Sequence, residues 1–146
     1  MDPRFLVSSD RIETAARLFA HLQDGAFDLQ GAMWAQSEGD AQPYLYLVTK
    51  QLVVDGPIGA YKKFNAAFHA FQRAQTNPFR ALELDDIKLL APSDPLAVGL
   101  LWSLDRHPTD LPTFHFSIPR GVPMWAAYIY PAALFAPPAR PAAQTA

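Results

Sequence analysis

Residues 26–49, AFDLQGAMWAQSEGDAQPYLYLVT, decide the fold. From Ala26 to Gln36 the side chains alternate, Phe27, Leu29, Met33 and Ala35 on one face and Asp28, Gln30, Trp34 and Gln36 on the other, which is the period of a β-strand. Ser37-Glu38-Gly39-Asp40-Ala41-Gln42 is a polar turn segment, and Tyr44-Leu45-Tyr46-Leu47-Val48-Thr49 is rich in strand formers, so the stretch predicts a β-hairpin. A two-residue turn at Gly39-Asp40 pairs Trp34 with Leu45 and sets Tyr44 and Tyr46 beside Met33 and Ala35, whereas a shift of one residue swaps the faces. Either register leaves large apolar groups on both sides.

Helices flank the hairpin. Upstream, Ile12, Ala15, Phe19 and Leu22 recur at helical spacing over residues 10–24, with Asp10 and Glu13 placed as a capping box and Gly25 as the stop. Downstream, Asp55-Gly56-Pro57 ends the extended region and opens a second helix, because proline is tolerated in a first turn where its missing N–H is not needed. Tyr61, Phe64, Phe68 and Phe71 give that helix a three-four apolar stripe to about Ala74, before Asn77-Pro78 terminates it.

Further out, Leu84 to Leu90 reads as a short strand. Pro92-Ser93-Asp94-Pro95 then supplies a turn, a cap and a first-turn proline for a third helix running to about Leu104. Leu96, Val98, Leu100, Leu101 and Trp102 lie all round that helix, which predicts burial on more than one side, with Gly99 allowing close packing. A polar loop from Asp105 to Pro112 leads into Thr113 to Ile118, where Phe114, Phe116 and Ile118 alternate toward the core. Pro119-Arg120-Gly121 turns the chain into a last strand, Met124 to Tyr130, closing a C-terminal hairpin.

The expected order is α-β-β-α-β-α-β-β. It specifies an α+β fold with a mostly antiparallel sheet of about five strands and about three helices on one face. Strand order stays open, since either hairpin can pair with the lone strand near Ile87. A single domain is expected over residues 1–131, followed by an Ala/Pro-rich tail, 132–146, that offers too little burial to offset its ordering entropy.

Composition narrows the function classes. The chain has 146 residues, half of them hydrophobic and only 18% charged, so apolar surface is left over for a partner. Its net charge of −2, with scattered Lys and Arg, gives no basic field for nucleic acid. Zero cysteines exclude a disulfide framework, a zinc ribbon and a thiolate nucleophile, and no cofactor-binding glycine motif is present. The N-terminal residues do not read as a secretory leader and no apolar run reaches the roughly 20 residues of a bilayer span, which predicts a cytoplasmic protein with no membrane role.

Two groups of residues are candidate sites. Trp34, Tyr44 and Tyr46 form an aromatic platform if they share the sheet face away from the helices, and large aromatics carry much of the energy of binding surfaces. This favours a non-catalytic binding or assembly module, a homodimer or a partner of another protein, that associates through the open sheet face. Alternatively, Asp105, His107, Asp110 and His115 put two carboxylates and two imidazoles within eleven residues. A small hydrolase or metal-dependent enzyme would use Asp105 as base or ligand and His107 and His115 as ligands or proton carriers. Their spacing matches no metal motif, and aspartate is common in loops as turn chemistry. Thr113, His115 and Ser117 share a strand face that reads equally as a solvated surface. Lys62, Lys63, His69 and Arg73 form a mildly basic helix face beside the Gly56-Pro57-Ile58-Gly59 helix start, a pattern that a solvated helix also explains.

Overall fold

Ser8, rather than Asp10, caps the first helix: its hydroxyl accepts the Arg11 backbone N–H at 3.3 Å, and the helix α1 runs Ser9–Asp24. In this computed structural model, which describes residues 7–36, 41–75, 82–106, 117–118, 122–123 and 126–135, α1 closes in a Schellman turn. The Ala26 N–H bonds the Gln23 carbonyl and the Phe27 N–H reaches back to Leu22. The left-handed residue this turn needs is Ala26, at φ +66°, one position beyond the expected glycine stop.

The hairpin forms from β1 (Gly31–Gln36) and β2 (Tyr44–Val48), antiparallel, with Trp34 opposite Leu45 and Met33 opposite Tyr46. This is the register of the two-residue turn, although residues 37–40 lie outside those described. Gln30 N–H donates to the Val48 carbonyl while Gly31 is the register partner of Val48, so two residues oppose one and the side-chain alternation resets. Phe27 and Leu29 therefore share their side of the sheet with Ala32 and Trp34, while Met33 and Ala35 face the other way.

A helical turn α2 (Gln51–Val54) and the long helix α3 (Gly56–Ala74) carry the chain from β2 to β3 (Ile87–Leu90), which lies parallel to β2. A helical crossover permits that parallel return; a tight turn does not. The Tyr61 hydroxyl accepts the Leu89 N–H at 3.0 Å and so occupies part of the outer edge of β3. Helix α4 (Pro95–Arg106) follows, and its last turn takes in Asp105, which the sequence places in a loop.

The described sheet has four strands in the order β3-β2-β1-β6, where β6 is Ala126–Ile129 and runs antiparallel to β1. It is mixed: two of its three pairings are antiparallel, in line with the expected mostly antiparallel sheet, and β3 adds one parallel pairing. The expected C-terminal hairpin is also rearranged: β4 (Ser117–Ile118) pairs with β5 (Val122–Pro123) in a separate two-stranded ladder, and β6 joins the central strand instead. Phe114 and Phe116 fall outside the described residues.

Helices cover both faces. On one side α1 and α3 bury Leu18, Phe19, Leu22, Phe64 and Phe68 against Trp34, Leu45 and Leu47. On the other, Ala97, Leu100 and Leu104 of α4 pack on Met33, Ala35, Tyr46, Val48 and Ile129. Each large side chain removed from water contributes about 1.5–3 kcal/mol before entropy is subtracted, so the two layers together justify the near-continuous apolar strands. The expectation of three helices on one face is thereby corrected. Close approach of α4 depends on Gly31, where a Cβ would lie 3.0 Å from Leu104 Cδ1.

The packed chain extends past the expected boundary at residue 131. A 3-10 turn at Ala132–Leu134 brings Phe135 into the core, its ring 5.5 Å from that of Phe19, and the Leu134 carbonyl accepts from Gln23 at 2.8 Å.

Candidate functional site

Trp34 is fully buried and lies on the α1/α3 side of β1. Its indole N–H donates to the Tyr130 hydroxyl at 2.9 Å, and that hydroxyl donates in turn to the Ile12 carbonyl at 2.9 Å. The Arg11 guanidinium caps the ring at 4.5 Å while bonding the Asp86 carboxylate at 2.7 Å. No buried side-chain polar atom among the described residues of this network lacks a partner, and burial pushes the Tyr130 phenol far above its usual range. Tyr44 and Tyr46 sit on the opposite face, their rings 6.5 Å apart, with Tyr46 buried beside α4 and Tyr44 half-buried under the Lys88 ammonium. The three aromatics therefore do not form one surface, and the face expected to be open is occupied by α4.

Asp105 is exposed near the end of α4, whereas His107, Asp110, Thr113 and His115 lie outside the described residues. Among the described residues no three His, Asp or Glu side chains converge as metal ligands. The basic helix face is solvent-exposed as expected at Lys62, Lys63, His69 and Arg73.

The feature that sequence reasoning missed stands at the N-terminal end of that helix. Val53, Val54 and Ile58 are 70%, 73% and 86% exposed, and Pro57 between them is exposed as well. Their positions follow from the backbone. Thr49 Oγ1 accepts the Gln51 N–H to start α2, and Gly56 at φ +76° breaks the helical path so that α3 sets off in a new direction. The aliphatic groups are left on the outer side of this corner, because Ala60 and Phe64 already supply the inner side. A pair of β-branched residues just ahead of an Asp-Gly-Pro break was the available signal.

Two carboxylates stand at the corner, Asp28, which accepts the Lys50 backbone N–H at 2.7 Å, and Asp55, which is neutralised from within. Asp55 pairs with Lys63 at 2.9 Å and accepts from Gln51 at 2.5 Å. The Lys63 hydrogen bond, opposed by partial burial and assisted by Gln51, holds its carboxyl below the ordinary value. Lys50, Lys62 and Lys63 are exposed and lie within five residues of Val53 or Ile58 in the sequence, so three of the four lysines in the chain belong to this corner.

Behind it lies a shallow cleft of about 580 Å³ between the end of α1 and α3, with Phe27 in its wall and His21, Asp24, Gln51 and Lys63 among its lining residues. Gln51 also receives the Asp28 N–H at 3.3 Å, so two of those four polar groups are committed to neighbours instead of to a ligand. A second cleft of about 300 Å³ is bordered by Tyr61, Asp85 and Lys88, with Tyr61 bonded to β3. No helix among the described residues is long and apolar enough to cross a membrane. In comparisons with known proteins, the chain matches no family model, no curated protein and no solved structure.

Proposed function

We propose that this chain is a non-catalytic binding module whose contact surface is the α2–α3 corner. One observation carries the reading: three large aliphatic side chains, each at least 70% exposed, are concentrated in six residues. Scattered exposed aliphatics are ordinary, but a group concentrated in one short stretch and flanked by polar residues is a form that contact sites take. Association through the sheet, the expectation from the sequence, has no open face to use once α4 is in place. A symmetric contact between two copies of the corner is opposed by bringing two sets of Lys50 and Lys62 together, Lys63 being paired with Asp55.

The test uses bis-ANS, an apolar dianionic dye whose chemistry complements the corner. Its fluorescence should rise on the native protein, and a Val53→Ser, Val54→Ser, Ile58→Ser variant should reduce that rise by about fivefold with an unchanged melting temperature. Equal dye binding by the two proteins removes the corner as the contact surface.

A further inference from the structure

We infer that the corner docks on the surface of an anionic lipid bilayer, with Val53, Val54 and Ile58 entering the headgroup layer and Lys50 and Lys62 meeting the lipid phosphates and carboxylates. This rests on the reading of the corner as a contact surface and names what it contacts. Three features favour a bilayer over a protein partner. First, the aliphatic groups protrude from the bend between α2 and α3, at up to 86% exposure, and protruding apolar groups suit a deformable apolar medium. Second, the charge pattern at the corner is net positive. Lys50, Lys62 and Lys63 stand there against Asp55 and Asp28, three cations to two carboxylates, in a chain whose overall charge is −2. Of the two groups an anionic surface would repel, Asp55 is held by Lys63 and Gln51, and Asp28 accepts the Lys50 backbone N–H at 2.7 Å.

Third, the cations are lysines with long apolar stems. Such side chains lie along an apolar insertion while their ammonium groups stay at headgroup level, each adding attraction that salt screens. Ile58 and Lys62 stand four apart on α3, so one helix face presents the inserting group and a charged anchor together. Surface docking of this kind needs no spanning helix; the binding is reversible because three aliphatic side chains are a small insertion.

The experiment is flotation of the full chain with vesicles of phosphatidylcholine containing about 30% phosphatidylserine, compared with pure phosphatidylcholine, at about 50 mM and about 500 mM salt. The expected partition coefficient is about tenfold higher on the anionic vesicles at low salt and falls with added salt. The Val53→Ser, Val54→Ser, Ile58→Ser variant should lose about tenfold on the same vesicles, and a Lys50→Gln, Lys62→Gln variant should bind the two vesicle types alike. All of these substitutions are on exposed side chains, and circular dichroism of each variant checks that the fold is kept. Absence of binding to the anionic vesicles overturns the inference, as does binding that survives the aliphatic substitutions. If that absence is accompanied by bis-ANS binding that the serine variant loses, the corner remains a contact surface and its partner is a protein. If the dye test fails as well, both readings fall.

Discussion

Ala26 and Tyr130 show how much a single residue carries in this fold. Ala26 holds the left-handed position of the α1 C-terminal turn, where a Cβ costs about 1 kcal/mol relative to glycine. Ala26→Gly should therefore raise stability by about 0.5–1 kcal/mol, part of the relief being returned as glycine's greater unfolded freedom, and calorimetry should show the higher melting temperature. Tyr130 joins strand to helix by accepting from Trp34 and donating to Ile12. Tyr130→Phe strands a buried indole N–H and should cost about 1–3 kcal/mol in a urea titration near neutral pH. The same phenol makes the protein alkali-sensitive. Its folded pKa is raised by burial above the unfolded value of about 10, so the folded state keeps a proton that the unfolded chain releases, and stability falls as pH climbs past about 10. The phenylalanine variant should lose stability more gently over that alkaline range, which separates the titration from the lost hydrogen bond.

At the level of the elements, Gly31 sets the distance between β1 and α4. A methyl group there meets the movable ends of three leucines, Leu104 closely at 3.0 Å and Leu100 and Leu101 at an ordinary 3.5 Å, so Gly31→Ala should be mild, while Gly31→Val forces α4 outward and should cost about 1–3 kcal/mol by denaturant midpoint. Periodicity made α1, the hairpin, α3 and the strand at Ile87 legible, because each has a stripe or alternation that local chemistry dictates. What it leaves out is which side of the sheet a helix meets. The clue lay in β1 and β2, where Ala32 and Trp34 on one face and Met33 and Ala35 on the other are all apolar, a pattern that calls for cover on both sides. Read as an open aromatic face, it suggests a dimer; read with the all-round apolar α4, it specifies a three-layer arrangement. Trp34 was misplaced for a related reason. Its polar partner lies 96 residues away, and no local spacing announces such a pair. The corner at Val53 and Ile58 was legible only in part, since exposure depends on where Gly56 turns the chain.

For the molecule as a whole, early and late segments are clasped: Phe19 of α1 touches both Tyr130, at 4.8 Å, and Phe135, at 5.5 Å. Phe135→Ala should cost about 3 kcal/mol and lower the urea midpoint without changing bis-ANS binding by the folded protein at the α2–α3 corner, so that fold and contact surface are probed separately. The strand order β3-β2-β1-β6 has one more consequence, which concerns time. The central strand β1 is synthesised early, but its second neighbour is completed only at Ile129, and the acceptor for the Trp34 indole only at Tyr130. Until those residues have left the ribosome, β1 is the open edge of an incomplete sheet, with β2 and later β3 on its other side only, and it carries an unpartnered tryptophan and is open to pairing with other chains. A nascent chain thus lacks a closed core until β6 has emerged, and its hazard of aggregation is greatest just before that strand arrives.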